Sequence, residues 1–399
     1  MIRNNRFIDY LDEKSKKTSW EPMDSSELIT NVYTNYLYNY DSKSVAQNPK
    51  KVMHEYIIWQ EDHDVNDDML FDKHNDRRKE KKILTPKLET ITDILTLIDT
   101  ELYDDKYEYN IDLKALCDIK PELVDLNNMV GLVEMKESIV EQLLYFIQRF
   151  HKKTNCGDYK HTVLYGVPGI GKTEVAKIIG KMYSKIGVLT KNTFKKVTRN
   201  DLVAGYLGQT ALKTRKVIDE ALGGVLFIDE AYSLSSGTDS NDSYSKECID
   251  VICEALSDHK DDLMVIIAGY EQELENNFFN MNRGLPSRFI WRFSMKPYTP
   301  PELKQIFASC VTKNGWSLVD NSLKDEWFIK HKDDFASYGR DMEALLTFVK
   351  IAHSKTALCK PDEEKCKISF DDIENGYKVF MKNKKKVEER PVYLKHLYV

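Results

Sequence analysis

The stretch Gly166-Val167-Pro168-Gly169-Ile170-Gly171-Lys172-Thr173-Glu174 sets three glycines, a proline and a lysine between an apolar run, HTVLY, and an amphipathic run, VAKIIGKMY. The glycines let the backbone wrap so that several N–H groups point into one volume, and the helix beyond adds its dipole. Such a cradle suits phosphate oxygens. Lys172 is placed to reach the β- and γ-phosphates of ATP, and the Thr173 hydroxyl to ligate Mg²⁺. Downstream, VLFIDEA is an apolar strand ending in Asp229 and Glu230. Ligands of open α/β sheets bind at this carboxyl edge. Asp229 is expected to hold the Mg²⁺ shell, and Glu230 to orient or deprotonate the attacking water. A γ-phosphate also wants a cation opposite it. Arg288, in GLPSRF, and Arg340, in YGRDMEALL, are well placed, with Arg283 a competitor to Arg288.

These residues need a frame. From about 124 to 298 short apolar or β-branched runs (HTVLY, FKKV, GVLFID, LMVIIAG, FIWRF) alternate with helical patterns. That alternation predicts an α/β fold, a parallel sheet with helices on both faces. From 299 the pattern turns to helices only. Thr299 before Pro300, Pro301 and Glu302 is a strong helix start. Leu303, Ile306, Phe307 and Cys310 are expected to form one buried face, and Met342, Leu345, Leu346 and Val349 another. The predicted organisation is an N-terminal region over 1–120, partly helical with a charged linker at 61–82. An α/β domain over 124–298, a small helical domain over 299–380 and a basic tail over 381–399 follow. Leu88, Ile91, Leu95, Ile98 and Leu102 recur at helical spacing and predict an apolar helix face that packs on the next domain or on a partner. Asp62, Asp64 and Asn66 begin like a calcium loop, but Asp67 and Lys73 stand where glycine and glutamate are required, so the pattern fails.

Composition bounds the rest. With 399 residues and 42% hydrophobic, the chain can bury a core, and two or three domains are expected. A net charge of -6 argues against a binder of nucleic-acid backbones. Seven cysteines without C-x-x-C spacing read as free thiols in a reducing, cytoplasmic compartment. No signal peptide or membrane-spanning run is visible. The richness in Lys, Asn, Asp, Ile and Tyr often accompanies an AT-rich genome, such as that of a protist or a giant DNA virus. A viral source would make the compartment the host cytoplasm.

Five stretches carry a resemblance: MVGLVEMKESI, YGVPGIGKTE, VTRNDLVAGYLGQTALKTRKVIDEALGGVLFIDEAYSL, DSYSKECIDVICEAL and VIIAGYEQELENNFFNMNRGLPSRF. With the small domain they span roughly 124 to 380. They resemble an AAA+ ATPase of the CbxX/CfqX type, which includes red-type Rubisco activases and components of bacterial type VII secretion. The resemblance implies a P-loop AAA+ domain with a helical lid, assembled into a homo-oligomeric ring, usually a hexamer. It implies that Val130, Gly131 and Leu132 line the adenine pocket. Arg288 would be an arginine finger reaching a neighbour's nucleotide, and Arg340 a second sensor in cis. Tyr206, in GYLG, would lie on a pore loop that grips a client protein. Two positions depart from the family. Around Ala268-Gly269-Tyr270 no Asn or Thr stands at the first-sensor position, and Glu343 replaces a second lid arginine. The expected function is an ATP-hydrolysing remodeller of a client protein. The alternatives are a nucleic-acid-associated loader and a nucleotide-gated scaffold with little turnover.

Overall fold

Five β-branched and aromatic runs meet side by side in one sheet. They are β1 (Thr162–Gly166), β2 (Phe194–Val197), β3 (Val225–Ile228), β4 (Met264–Gly269) and β5 (Trp291–Met295). Every pairing is parallel and the order is β2-β3-β4-β1-β5. A parallel strand pair needs a crossover, and the helical patterns between the runs supply it. β3 and β4 are buried at every position, as strands covered on both faces should be. The five runs singled out in the sequence are these five strands. The structure is a computed structural model and describes residues 80–152, 158–206, 208–235, 243–319, 322–358 and 361–388.

Side chains alternate between two cores, one on each face of the sheet. One core joins Leu164, Phe227, Ile266 and Phe293 to a group of helices. These are α1 (Ile91–Thr100), α2 (Lys120–Asn128), α3 (Val133–Ile147) and α4 (Lys172–Lys185). The other core joins Val163, Leu226, Ile228 and Ile267 to α5 (Thr210–Ala221) and α6 (Ser243–Asp258).

Residues ahead of the expected α/β domain share its first core. In α1, Thr90 caps the helix: its hydroxyl accepts from the Asp93 N–H, and the Asp93 carboxylate accepts from the Thr90 N–H at 2.8 Å. Ile91 and Ile98 are buried as expected, but Ile94 and Leu97 join them, while Leu88 and Leu95 only border the core. The helix stops at Thr100, however, and Leu102 is 81% exposed rather than part of the face. Pro121 lies in the first turn of α2, and Leu123 and Leu126 are fully buried in the same core. The Lys185 ammonium at the end of α4 meets Glu122 at 2.7 Å.

The chain then builds a third core from α7 (Pro300–Lys313), α8 (Gly339–Ala357) and α9 (Phe370–Glu388). It is not purely helical: Ser317–Leu318 pairs in parallel with Lys367–Ile368. The capping box at Thr299 and Glu302 starts α7 as its sequence predicts. The basic run KNKKK continues α9 to Glu388, and the Lys384 ammonium donates to the Asp334 carbonyl. The calcium-like loop and the charged segment from 61 to 79 lie outside the described residues.

Among the described residues no helix is long and apolar enough to cross a membrane. Cys117, Cys248, Cys253, Cys310 and Cys366 are free thiols.

Candidate functional site

The carboxyl edge of the sheet carries the chemistry. β1 ends at Gly166, the loop wraps, and α4 begins at Lys172. Gly169 and Gly171 hold φ of +75° and +99°, values that ordinary side chains resist. Lys172 is 7% exposed. Its ammonium donates to the carbonyls of Gly166 at 2.7 Å and Val167 at 3.1 Å, so its charge is held across the mouth of the loop. Burial lowers the Lys172 pKa, Glu230 and Asp229 pull it back up, and Arg340 pushes it down. All four side chains therefore share one electrostatic environment.

Asp229 and Glu230 follow β3 directly, one strand removed from the loop across β4. Glu230 has φ of +52°, a left-handed conformation that costs a non-glycine residue roughly 1 kcal/mol or more. Its Oε2 is buried and has no hydrogen-bond partner among the described residues. A carboxylate oxygen withdrawn from water without a donor has a large unmet demand, which a bound water or its ligand would satisfy.

An open cavity of ≈ 290 Å³ joins these groups. Pro168, Gly169, Ile170, Gly171, Lys172, Thr173 and Glu174 line it from the loop, and Asp229 and Glu230 from β3. Gly166 and Val167 contribute the carbonyls that hold Lys172. Of the three residues expected around a base, Val130 lines the cavity, preceded by Asn128 and Met129. Gly131 and Leu132 do not line it. Leu132 is 8% exposed and turns into the core, starting α3 from a left-handed φ of +58°.

The third core closes the far wall. Arg340 lines the cavity from the first turn of α8, and Glu343 follows one turn on. The Gly339 N–H donates to the Gly169 carbonyl at 3.0 Å, and the Tyr298 hydroxyl donates to the Ile170 carbonyl at 2.9 Å. The phosphate loop is thus hydrogen-bonded to the small helical core through its own backbone. Sequence reasoning missed Tyr298 and the wall formed by Ile306, Ser309, Cys310 and Lys313. It assigned Leu303, Ile306, Phe307 and Cys310 to one buried face. In the structure Leu303, Phe307 and Val311 are buried, while Ile306 and Cys310 are half-buried, packing on the edge of the same core and also lining the cavity. The spacing of Ile306, Cys310 and Lys313, four residues and then three along one helix face, was the available signal.

Two expected residues lie elsewhere. Arg288 does not line this cavity; its Nε donates to Ser257 at 2.7 Å and its Nη1 to the Gly284 carbonyl at 2.8 Å. Tyr206 is 73% exposed in the loop before α5. At the end of β4, where the sequence carries no Asn or Thr, the Tyr232 ring lies against Gly269. A Cβ on Gly269 would meet the Tyr232 ring at 2.9 Å, so that ring fills the space at the end of β4. Tyr232 lies tilted beside Tyr270, their centroids 6.1 Å apart, and the Lys172 ammonium stands 6.0 Å from the centroid of the Tyr270 ring. Burial and then the Glu230 carboxylate raise the pKa of both phenols.

This sheet order, the lysine-bearing loop and the paired carboxylates define a P-loop nucleotide-binding domain with a helical lid. The model of the ATPase family associated with various cellular activities (AAA) matches residues 162–289. A putative cfxQ-like protein of Acanthamoeba polyphaga mimivirus is 37% identical over 291 residues, 72% of this chain and 71% of that protein. Stage V sporulation protein K of Bacillus subtilis is 35% identical over 210 residues, covering 52% of this chain and 63% of its own length. The ESX-1 secretion system protein EccA1 of Mycolicibacterium smegmatis is 39% identical over 205 residues, 50% of this chain and 36% of that protein. The chain belongs to the AAA ATPases of the CbxX/CfqX type.

Proposed function

We propose that the protein binds Mg·ATP in this cavity, hydrolyses it, and uses the cycle within a homo-oligomeric ring, a hexamer, to remodel a client protein. The observation that carries the reading is the convergence of Lys172, Thr173, Asp229 and Glu230 on one cavity walled by Arg340. The donor set fits the ligand. Backbone N–H groups and Lys172 suit phosphate oxygens, and the Thr173 hydroxyl and Asp229 carboxylate are hard oxygen donors that suit Mg²⁺. When bound, Mg²⁺ would neutralise charge developing between the β- and γ-phosphates. Glu230, with its unpartnered buried oxygen, would accept a hydrogen bond from the attacking water and draw off its proton. Arg340 would face the phosphates from the lid.

Arg288 completes the reading from a neighbour. It is absent from the cavity of its own chain, as an arginine serving another subunit's nucleotide would be. Tyr206, exposed beside Gly205, suits a loop that contacts many peptide sequences without specific pairing. We infer a reducing, cytoplasmic setting from the free thiols. Nucleic acid is disfavoured as a partner by the net charge of -6.

The test is ATP turnover per subunit across a range of protein concentrations, with Glu230→Gln as the inactive control. Turnover should rise cooperatively with concentration and fall roughly a thousandfold in Arg288→Ala. Turnover independent of concentration and untouched by Arg288→Ala would refute the shared-site ring.

A further inference from the structure

Lys196 belongs to none of the nucleotide-binding stretches, yet it touches one of their central residues. It lies in β2, and its ammonium reaches past the Phe227 ring, 5.9 Å from the centroid, to Asp229 Oδ2 at 2.7 Å. Backbone pairing delivers it there. Lys196 is in register with Phe227 and Val197 with Ile228, and the Asp229 N–H donates to the Val197 carbonyl at 3.1 Å. Side chains alternate along a strand, so Lys196 shares the α4 side of the sheet with Phe194 and Phe227, whose rings stack at 5.6 Å. Its neighbour Lys195 projects to the opposite side and pairs with Glu220 at 2.8 Å.

The two partners differ in exposure. The Asp229 side chain is 16% exposed and that of Lys196 46%. A carboxylate largely removed from water needs a counter-charge, and the lysine supplies one from the solvent side. The same carboxylate is the one this site offers to a divalent cation. Two cations cannot both take Oδ2 without repelling each other, and the lysine, with its tip at the solvent edge, can leave at small cost.

We propose that Lys196 is a resident counter-ion of Asp229 that competes with the divalent cation arriving with nucleotide, and so sets the free Mg²⁺ concentration at which the site fills. The proposal rests on the nucleotide reading of the cavity. Its consequence is a threshold: nucleotide without its metal leaves the Lys196–Asp229 pair intact, and only the loaded form breaks it.

The experiment measures Mn²⁺ affinity by electron paramagnetic resonance on the full chain with a non-hydrolysable ATP analogue. It compares wild type with Lys196→Met, which keeps the stem over Phe227, and with Lys195→Met. Without its competitor, Lys196→Met should bind Mn²⁺ about two- to fivefold more tightly, the range of a half-exposed ion pair, while Lys195→Met should match wild type. In EDTA without nucleotide, Lys196→Met alone should melt earlier, and excess Mn²⁺ with the analogue should erase that difference. Unchanged Mn²⁺ affinity in Lys196→Met overturns the proposal. Weaker affinity also overturns it and makes Lys196 a support of the metal-loaded site. Wild type that takes up no analogue at all removes the nucleotide reading and this proposal with it. Equal uptake and equal Mn²⁺ affinity in both proteins removes only the role of Lys196.

Discussion

Gly169→Ala is the change for which the structure gives the most definite magnitude. Gly169 holds φ of +75°, and an added Cβ would overlap the Ser337 carbonyl oxygen. It would also lie 2.9 Å from the Ser337 carbonyl carbon and 3.4 Å from Arg340 Cγ. The oxygen is backbone and cannot rotate away, so the lid must retreat from the loop. Three costs follow. The left-handed backbone strains alanine by about 1–2 kcal/mol. Retreat breaks the bond from the Gly339 N–H to the Gly169 carbonyl, worth about 1 kcal/mol. It also moves Arg340 off the cavity. The first two alone come to roughly 2–3 kcal/mol of stability, and displacement of Arg340 from the cavity should weaken nucleotide binding as well. Gly187→Ala is the matched control, because Gly187 has a similar φ of +72° but nothing within 4 Å of the added atom. It should lose about 1–2 kcal/mol of stability from strain and keep its nucleotide affinity. Titration with a fluorescent ATP analogue and thermal unfolding of both variants make the comparison. Gly169→Ala binding within twofold of wild type, or Gly187→Ala weakened to the same extent, would refute the coupling of lid to loop.

Two further outcomes are expected. Lys160 is 2% exposed, donates to the Asp261 carbonyl at 2.7 Å, and burial lowers its pKa to about 8. The unfolded chain keeps that proton to about 10.4, so it binds more protons than the folded state between the two values. Stability should therefore rise from pH 8 towards 10, by up to ~3 kcal/mol from this group, and the rise should vanish in Lys160→Met. Thermal unfolding across that range reads it, and an identical pH slope in the variant would sink the argument. Tyr206→Ala should abolish any stimulation of ATP turnover by an unfolded polypeptide, and undiminished stimulation would remove its gripping role.

The loop and the strands were legible because their signals are local. A glycine's positive φ, a helix start at Lys172 and an apolar run ending in two acids each depend on residues a few positions apart. The same holds for the box at Thr299 and Glu302. The faces of α1 and α7 were legible only in part. Periodicity shows that a stripe is apolar, but not where a helix stops or which edge of the stripe faces a cavity. Leu102 was misread for the first reason, and the cavity-lining role of Ile306 and Cys310 was missed for the second. The ring beside Gly269 was not legible, because it comes from Tyr232 in another segment of the chain.

By itself, then, the sequence determined the chemistry available: a phosphate cradle, a buried lysine, hard oxygen donors and a carboxylate for water, on a parallel sheet with a helical lid. Only the tertiary structure decided which side chains share a volume. It hydrogen-bonded Gly339 to Gly169 across 170 positions, placed Lys196 on Asp229 through strand register, turned Leu132 into the core and kept Arg288 out of its own chain's cavity. Those meetings depend on crossovers, strand order and the packing of three cores. Pairing between distant segments is set by the whole chain's burial at once, so no short stretch of sequence encodes it.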